Sequence, residues 1–98
     1  MSFKDRYDFD QLVNAAEQLV IAEMEKQTAE RGEGICLCED CVLDMAAMAL
    51  NTVKPLYRVS LLGSLYAAHA MDQEGYAGAV RAAVSAAIDK VCANPSHD

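Results

Sequence analysis

Apolar positions along this chain keep mostly to a helical rhythm. From about Phe9 to Glu30, the residues Phe9, Leu12, Val13, Ala16, Val20 and Met24 fall mainly at steps of three and four, the period of an amphipathic helix. Leu19 and Ile21 widen that stripe. A helix of roughly twenty residues spans about 30 Å, and so wide an apolar face predicts packing against more than one small chain supplies, which points to a dimer. Asn14 and Glu17 lie on one flank, as a solvated pair or as a polar contact in that interface. Arg31-Gly32-Glu33-Gly34 breaks the pattern, with Gly32 or Gly34 suited to a left-handed C-cap.

A second helix is predicted from about Cys38 to Val53, with Cys38, Cys41, Val42, Met45, Met48, Ala49 and Thr52 on one broad face. Pro55 ends it, because proline cannot donate to the helical ladder and restricts Lys54 before it. Between Leu56 and Ala67 the rhythm changes: Tyr57, Val59 and Leu61 alternate with Arg58 and Ser60, and Leu62-Gly63-Ser64 reads as a turn. A small hairpin or an irregular extended lip is expected there. Asp72 is placed to cap a third helix, whose stripe of Val80, Ala83, Val84, Ala87, Ile88, Val91 and Cys92 runs to the stop at Asn94-Pro95. The expected fold is therefore mainly α, one domain over residues 1–98, with a short extended or hairpin segment.

Composition agrees with helices. Alanine supplies much of the apolar share, and two Phe, four Tyr and no Trp leave few large side chains for a sheet. A formal charge of -7 argues against general attraction to duplex DNA or to an anionic membrane surface. The start, Met1-Ser2-Phe3-Lys4-Asp5-Arg6, carries alternating charges instead of the apolar core of a signal peptide, and no run reaches membrane-spanning length, so a cytoplasmic location is expected.

In such a compartment thiols stay reduced, and clustered cysteines point to metal or redox chemistry before disulfides. Three of the four cysteines, Cys36, Cys38 and Cys41, fall within six positions. Cys38 and Cys41 sit three apart at a predicted helix start, where converging sulfurs suit a tetrahedral zinc and the helix dipole favours thiolate. Cys36 can fold over the same point. Cys92, on the apolar stripe of the third helix, is expected to face the interior and to supply the fourth ligand; His69, His97, Asp44 or water are the alternatives. Four protein ligands would make a closed, structural site. The Cys38-Glu39-Asp40-Cys41 spacing also admits a thiol redox switch, although the strand-then-helix context of a thioredoxin-like site is missing.

No catalytic constellation stands out: there is no Gly-rich phosphate loop, no H-E-x-x-H and no nucleophile elbow. A non-enzymatic protein is expected. Basic and aromatic residues interleave in one place, Lys54, Tyr57 and Arg58 followed by Tyr66, and Arg81 on the third helix can approach it. Guanidinium and ammonium groups beside flat rings suit an anionic ligand carrying bases. In a two-fold dimer the patch would occur twice, fitting a ligand with two phosphates and two bases. Tyr57 and Tyr66 can equally serve only to cover the core.

The run Asn14-x-x-Glu17-x-x-Val20, then Cys36-x-Cys38-Glu39-x-Cys41-x-x-Asp44-x-x-Ala47-x-Ala49-Leu50-Asn51, then Pro55-x-Tyr57 and the ending Asn94-Pro95-x-His97-Asp98 resembles the late competence development protein ComFB family. The resemblance covers nearly the whole chain. It implies a small, mostly helical, homodimeric cytoplasmic bacterial protein with a cysteine-bound zinc, Cys92 being the natural fourth ligand. It also implies a regulatory role in competence or type IV pilus control, motility included. Some members are described as receptors for cyclic dinucleotides, cyclic di-GMP or cyclic di-AMP, which would signal to a downstream protein partner. One turn departs from the family pattern of two prolines and an arginine before the tyrosine: Lys54-Pro55-Leu56-Tyr57 lacks the first proline and has Leu56 in the arginine's place. Arg58 is then the guanidinium left to compensate. The rival reading is a structural or protein-interaction module without a nucleotide.

Overall fold

The computed structural model describes residues 2–59 and 75–95. Among them the elements run in the order α1 (Phe3–Arg6), a 3-10 turn (Phe9–Gln11), β1 (Val13–Asn14), α2 (Ala16–Arg31), α3 (Glu39–Thr52), β2 (Tyr57–Arg58) and α4 (Tyr76–Ala93). The three long helices pack on one another, and α3 against α4 is the most extensive pairing. The fold is mainly α, as the periodicity predicts. No helix among the described residues is long and apolar enough to cross a membrane.

The core is the sum of three stripes. Ala16, Val20 and Met24 come from α2, Cys41, Met45 and Ala49 from α3, and Val80, Ala83, Val84, Ala87, Ile88 and Val91 from α4. Each set keeps the three-and-four spacing that puts side chains on one helix face. Val53 and Leu56 close the core beneath the Pro55 turn. The floor is rich in alanine, so the helices approach closely and α3 spreads its Met45 over the junction.

The long first helix expected from Phe9 is shorter in the structure. Only Ala16–Arg31 is α-helical, and Phe9 and Leu12 are exposed rather than part of a packed stripe. The reason lies in Asn14. Its backbone is extended, Val13 and Asn14 pair antiparallel with Arg58 and Tyr57 of β2, and the Ala15 N–H donates to the Leu56 carbonyl at 2.7 Å. The Asn14 Oδ1 then accepts both the Ala16 N–H at 3.1 Å and the Leu56 N–H at 2.7 Å. The asparagine thus satisfies an orphan donor at the helix start, as capping residues do. Half-buried and bonded within its own chain, Asn14 is not half of a solvated pair with Glu17, which is exposed. Ile21, expected to widen the stripe, is exposed as well.

Gly32 terminates α2 as its C-cap, with φ +73, and Gly34 follows with φ +96, conformations that favour glycine over residues bearing a Cβ. α3 stops at Thr52, just ahead of Pro55, as predicted. The extended segment after Pro55 is present as β2, and its described partner is β1, from the other end of the chain. The predicted turn and return strand, residues 60–67, lie outside the described residues, as do Asp72, Gln73 and Glu74. α4 begins at Tyr76, and its N-cap is Gly75, whose φ is +96. The Tyr76 hydroxyl donates to the Lys54 carbonyl at 2.8 Å, fastening the start of α4 to the end of α3.

Candidate metal centre

Cys38 is the N-cap of α3: its backbone is extended, and its Sγ accepts the Cys41 N–H at 3.4 Å. A sulfur in that place receives an otherwise unbonded helix donor and sits at the positive end of the helix dipole. Cys41, one turn into the helix, is fully buried, and Cys36 in the preceding loop is half-buried. The Sγ atoms of all three lie within 4.8 Å of one another. Thiolates at tetrahedral corners about 2.3 Å from zinc would be roughly 3.8 Å apart, so this spacing lies within a small adjustment of a metal-bound trio. The three cysteines can hold a metal ion. Acidic Glu39 and Asp40 occupy the first turn of the same helix but are exposed.

Cys92 stands apart from the expectation made for it. It is exposed in the last turn of α4, not interior-facing, and it is not one of the three cysteines drawn together. The core takes Val91 instead, and one residue further on is about 100° round the helix. Of the alternative fourth donors, Asp44 is half-buried on α3, while His69 and His97 lie outside the described residues.

The residues singled out for an anionic ligand are divided by the fold. Tyr57 is 62% exposed and Arg58 half-buried on β2, with Lys54 exposed just before them. Tyr66 lies outside the described residues. Arg81 lines a cleft of about 380 Å³ between α2 and α4, with Glu23, Lys26, Gln27, Glu30 and Arg31. Its carbonyl accepts the Gln27 Nε2 at 3.0 Å, and the same amide reaches the Glu23 carboxylate at 2.8 Å. On the far side of this cleft Arg31 pairs with Asp89 and donates to Ser85 Oγ at 3.0 Å. Gln27 and Arg31 were not distinguishable in the sequence from other polar residues on the outer face of a helix. Only their partners more than fifty residues away single them out.

A family model described as late competence development protein ComFB matches residues 13–95. The chain belongs to the ComFB family. A comparison with curated proteins gave no match. The ComFB match takes in the cysteine trio, all three long helices and the β1–β2 pair, and it begins at Val13, so the segment from Phe3 to Leu12 precedes it.

Proposed function

We propose that this ComFB-family chain is a non-enzymatic, cytoplasmic regulatory protein: a zinc-stabilised homodimer that binds a cyclic dinucleotide and passes that state to a protein partner in competence, type IV pilus or motility control. The observation that carries the reading is the convergence of Cys36, Cys38 and Cys41 at the N-terminus of α3, inside a match to a family described by its place in competence development. A metal held there ties the loop after α2 to α3, and its binding energy becomes folding energy. Cys92, exposed in the last turn of α4, is the one further thiol of the chain, and a fourth bond from it would complete a four-thiolate set. Zinc would supply structure, with no open position for a catalytic water.

For the ligand, the support is the Tyr57–Arg58 pair on β2 with Lys54 beside it. An exposed ring offers a stacking face and the guanidinium a fork for a phosphate. Binding is tested on metal-loaded protein by native mass spectrometry and calorimetry with cyclic di-GMP and cyclic di-AMP. Saturable binding that Tyr57→Ala and Arg58→Ala each weaken at least tenfold supports the receptor reading. A zinc-loaded dimer that ignores both nucleotides removes it. The alternative, an interaction module without nucleotide, draws on Leu37 and Leu43, which are 62% and 60% exposed beside the cysteine trio, and a partner captured without nucleotide would favour it.

A further inference from the structure

The segment ahead of the family match carries a surface of its own. α1, the 3-10 turn and the two residues between them bury none of their side chains, yet they hold Phe3, Tyr7 and Phe9, three of the six aromatic side chains in the chain. These three are 67%, 52% and 47% exposed, and Leu12 behind them is 45% exposed. Phe3 and Tyr7 meet edge to face with ring centroids 5.5 Å apart. Tyr7, Phe9 and Leu12 line a shallow groove with Asp8, Gln11 and Val59 from just beyond β2. The result is a continuous apolar ledge. With the arm rings roughly half exposed, its aromatic surface alone is on the order of 300 Å², within the range of functional patches on small proteins.

The charges along the arm say what covers it. Lys4 and Arg6 lie on one side of Tyr7, Asp8 and Asp10 on the other, at matching distances along the chain. Arg6 and Asp8 flank Tyr7 directly, so a two-fold axis at Tyr7 sets Arg6 of one copy against Asp8 of the next, with Lys4 and Asp10 further out on the two sides. This is the self-complementarity that an isologous contact needs. Arg6 stands over the Tyr7 ring, 5.4 Å from its centroid, and the Asp8 carboxylate is fixed by accepting the Asp10 N–H at 3.0 Å. We infer that the arm from Phe3 to Leu12 is a self-association element, pairing with the arm of a second copy about Tyr7 and covering the ledge of Phe3, Tyr7, Phe9, Leu12 and Val59. Complementary charges fix the antiparallel register, and the buried rings supply the affinity. The inference rests on the homodimer reading above and specifies one contact face in the assembly.

The test is sedimentation equilibrium of the full-length, metal-loaded chain with two charge-reversed variants, K4E/R6E and D8K/D10K. Each variant alone sets like charges against like, and its assembly is expected to have half the wild-type mass. Mixed one to one, the two variants carry an acidic and a basic arm and are expected to restore the wild-type mass as a hetero-assembly. Because no arm residue is buried, both variants should keep the wild-type thermal melt, which separates lost pairing from lost folding. Variants that each retain the wild-type mass overturn the arm contact while leaving a dimer built through another face. A wild-type chain that is monomeric at every concentration overturns both.

Discussion

The side-chain oxygen of Asn14 accepts the backbone N–H of Leu56 at 2.7 Å, across 42 residues of sequence. The same oxygen serves the first N–H of α2, so one amide group joins the entry of α2 to the turn that follows α3.

Asn14→Ala should therefore destabilise the fold by about 1–3 kcal/mol, since it leaves two partly buried donors without their acceptor. Asn14→Asp keeps an acceptor oxygen in place and should retain most of the stability. Urea titration at neutral pH measures both. Equal losses in the two variants would mean that the oxygen is not the element that matters.

Packing and surface charge should differ sharply. Met45 is fully buried where α3 meets its neighbours, and Met45→Ala should cost about 2–5 kcal/mol through lost transfer energy and a residual cavity. Asp89, two-thirds exposed, pairs with Arg31 on the outside of the bundle. Asp89→Ala should cost less than about 1 kcal/mol, because solvent screens such pairs and ordering long side chains offsets the attraction. If the two substitutions shifted the urea midpoint equally, the alanine-rich core would not be the main source of stability.

Much of this architecture is legible in the chain, and the exceptions share a physical cause. Cys41, Met45 and Ala49, and the run from Val80 to Val91, announce their faces by local period, and Gly32 announces the stop of α2 because the chain there needs positive φ. The same period misleads at Phe9 and Leu12, because the partner that unwinds the helix, Leu56, is remote and donates through its backbone, which leaves no mark in a side-chain pattern. At Cys92 the stripe fits either of two adjacent residues, and only the packing of the last helical turn selects Val91. The cysteine trio is legible because its members are close in sequence and a helix start orients them. The ligand patch is less so: Arg81 turns out to share its cleft with α2 side chains, and Tyr66 lies outside the described residues.

Tyr76 gives the fold a pH dependence at the alkaline end. Burial raises its phenol above the ordinary value of 10.0, and the neutral hydroxyl is the form that donates to the Lys54 carbonyl. The folded state holds this proton more tightly than the unfolded chain does. The contribution is thus complete below about pH 10 and fades as pH rises through the folded value. Thermal melts from neutral to strongly alkaline pH should show wild type losing more stability than Tyr76→Phe, which cannot ionise. At neutral pH Tyr76→Phe should be less stable by about 0.5–1.5 kcal/mol, the usual net worth of one hydrogen bond. Parallel alkaline losses in the two proteins would remove Tyr76 as the source.

The last prediction concerns the metal. Protein purified without chelator should contain one zinc per chain by elemental analysis, and stripping it should lower the melting temperature, because ligands that converge only in the folded state convert binding energy into stability. Cys41→Ser is a poor probe by itself, since a hydroxyl in that fully buried position costs stability even without a metal. Cys38→Ser, at the half-buried cap, is the better one: a serine oxygen can still accept the Cys41 N–H, so the cap survives while the thiolate is lost. Cys38→Ser should be isolated without zinc, and a chelator that lowers the wild-type melt should leave the variant's melt unchanged. If Cys92 supplies the fourth ligand, Cys92→Ser should still take up one zinc but yield it more readily to a competing chromophoric chelator. A Cys38→Ser protein that retains stoichiometric zinc, or a wild-type melt indifferent to chelator, would refute a structural zinc at this trio.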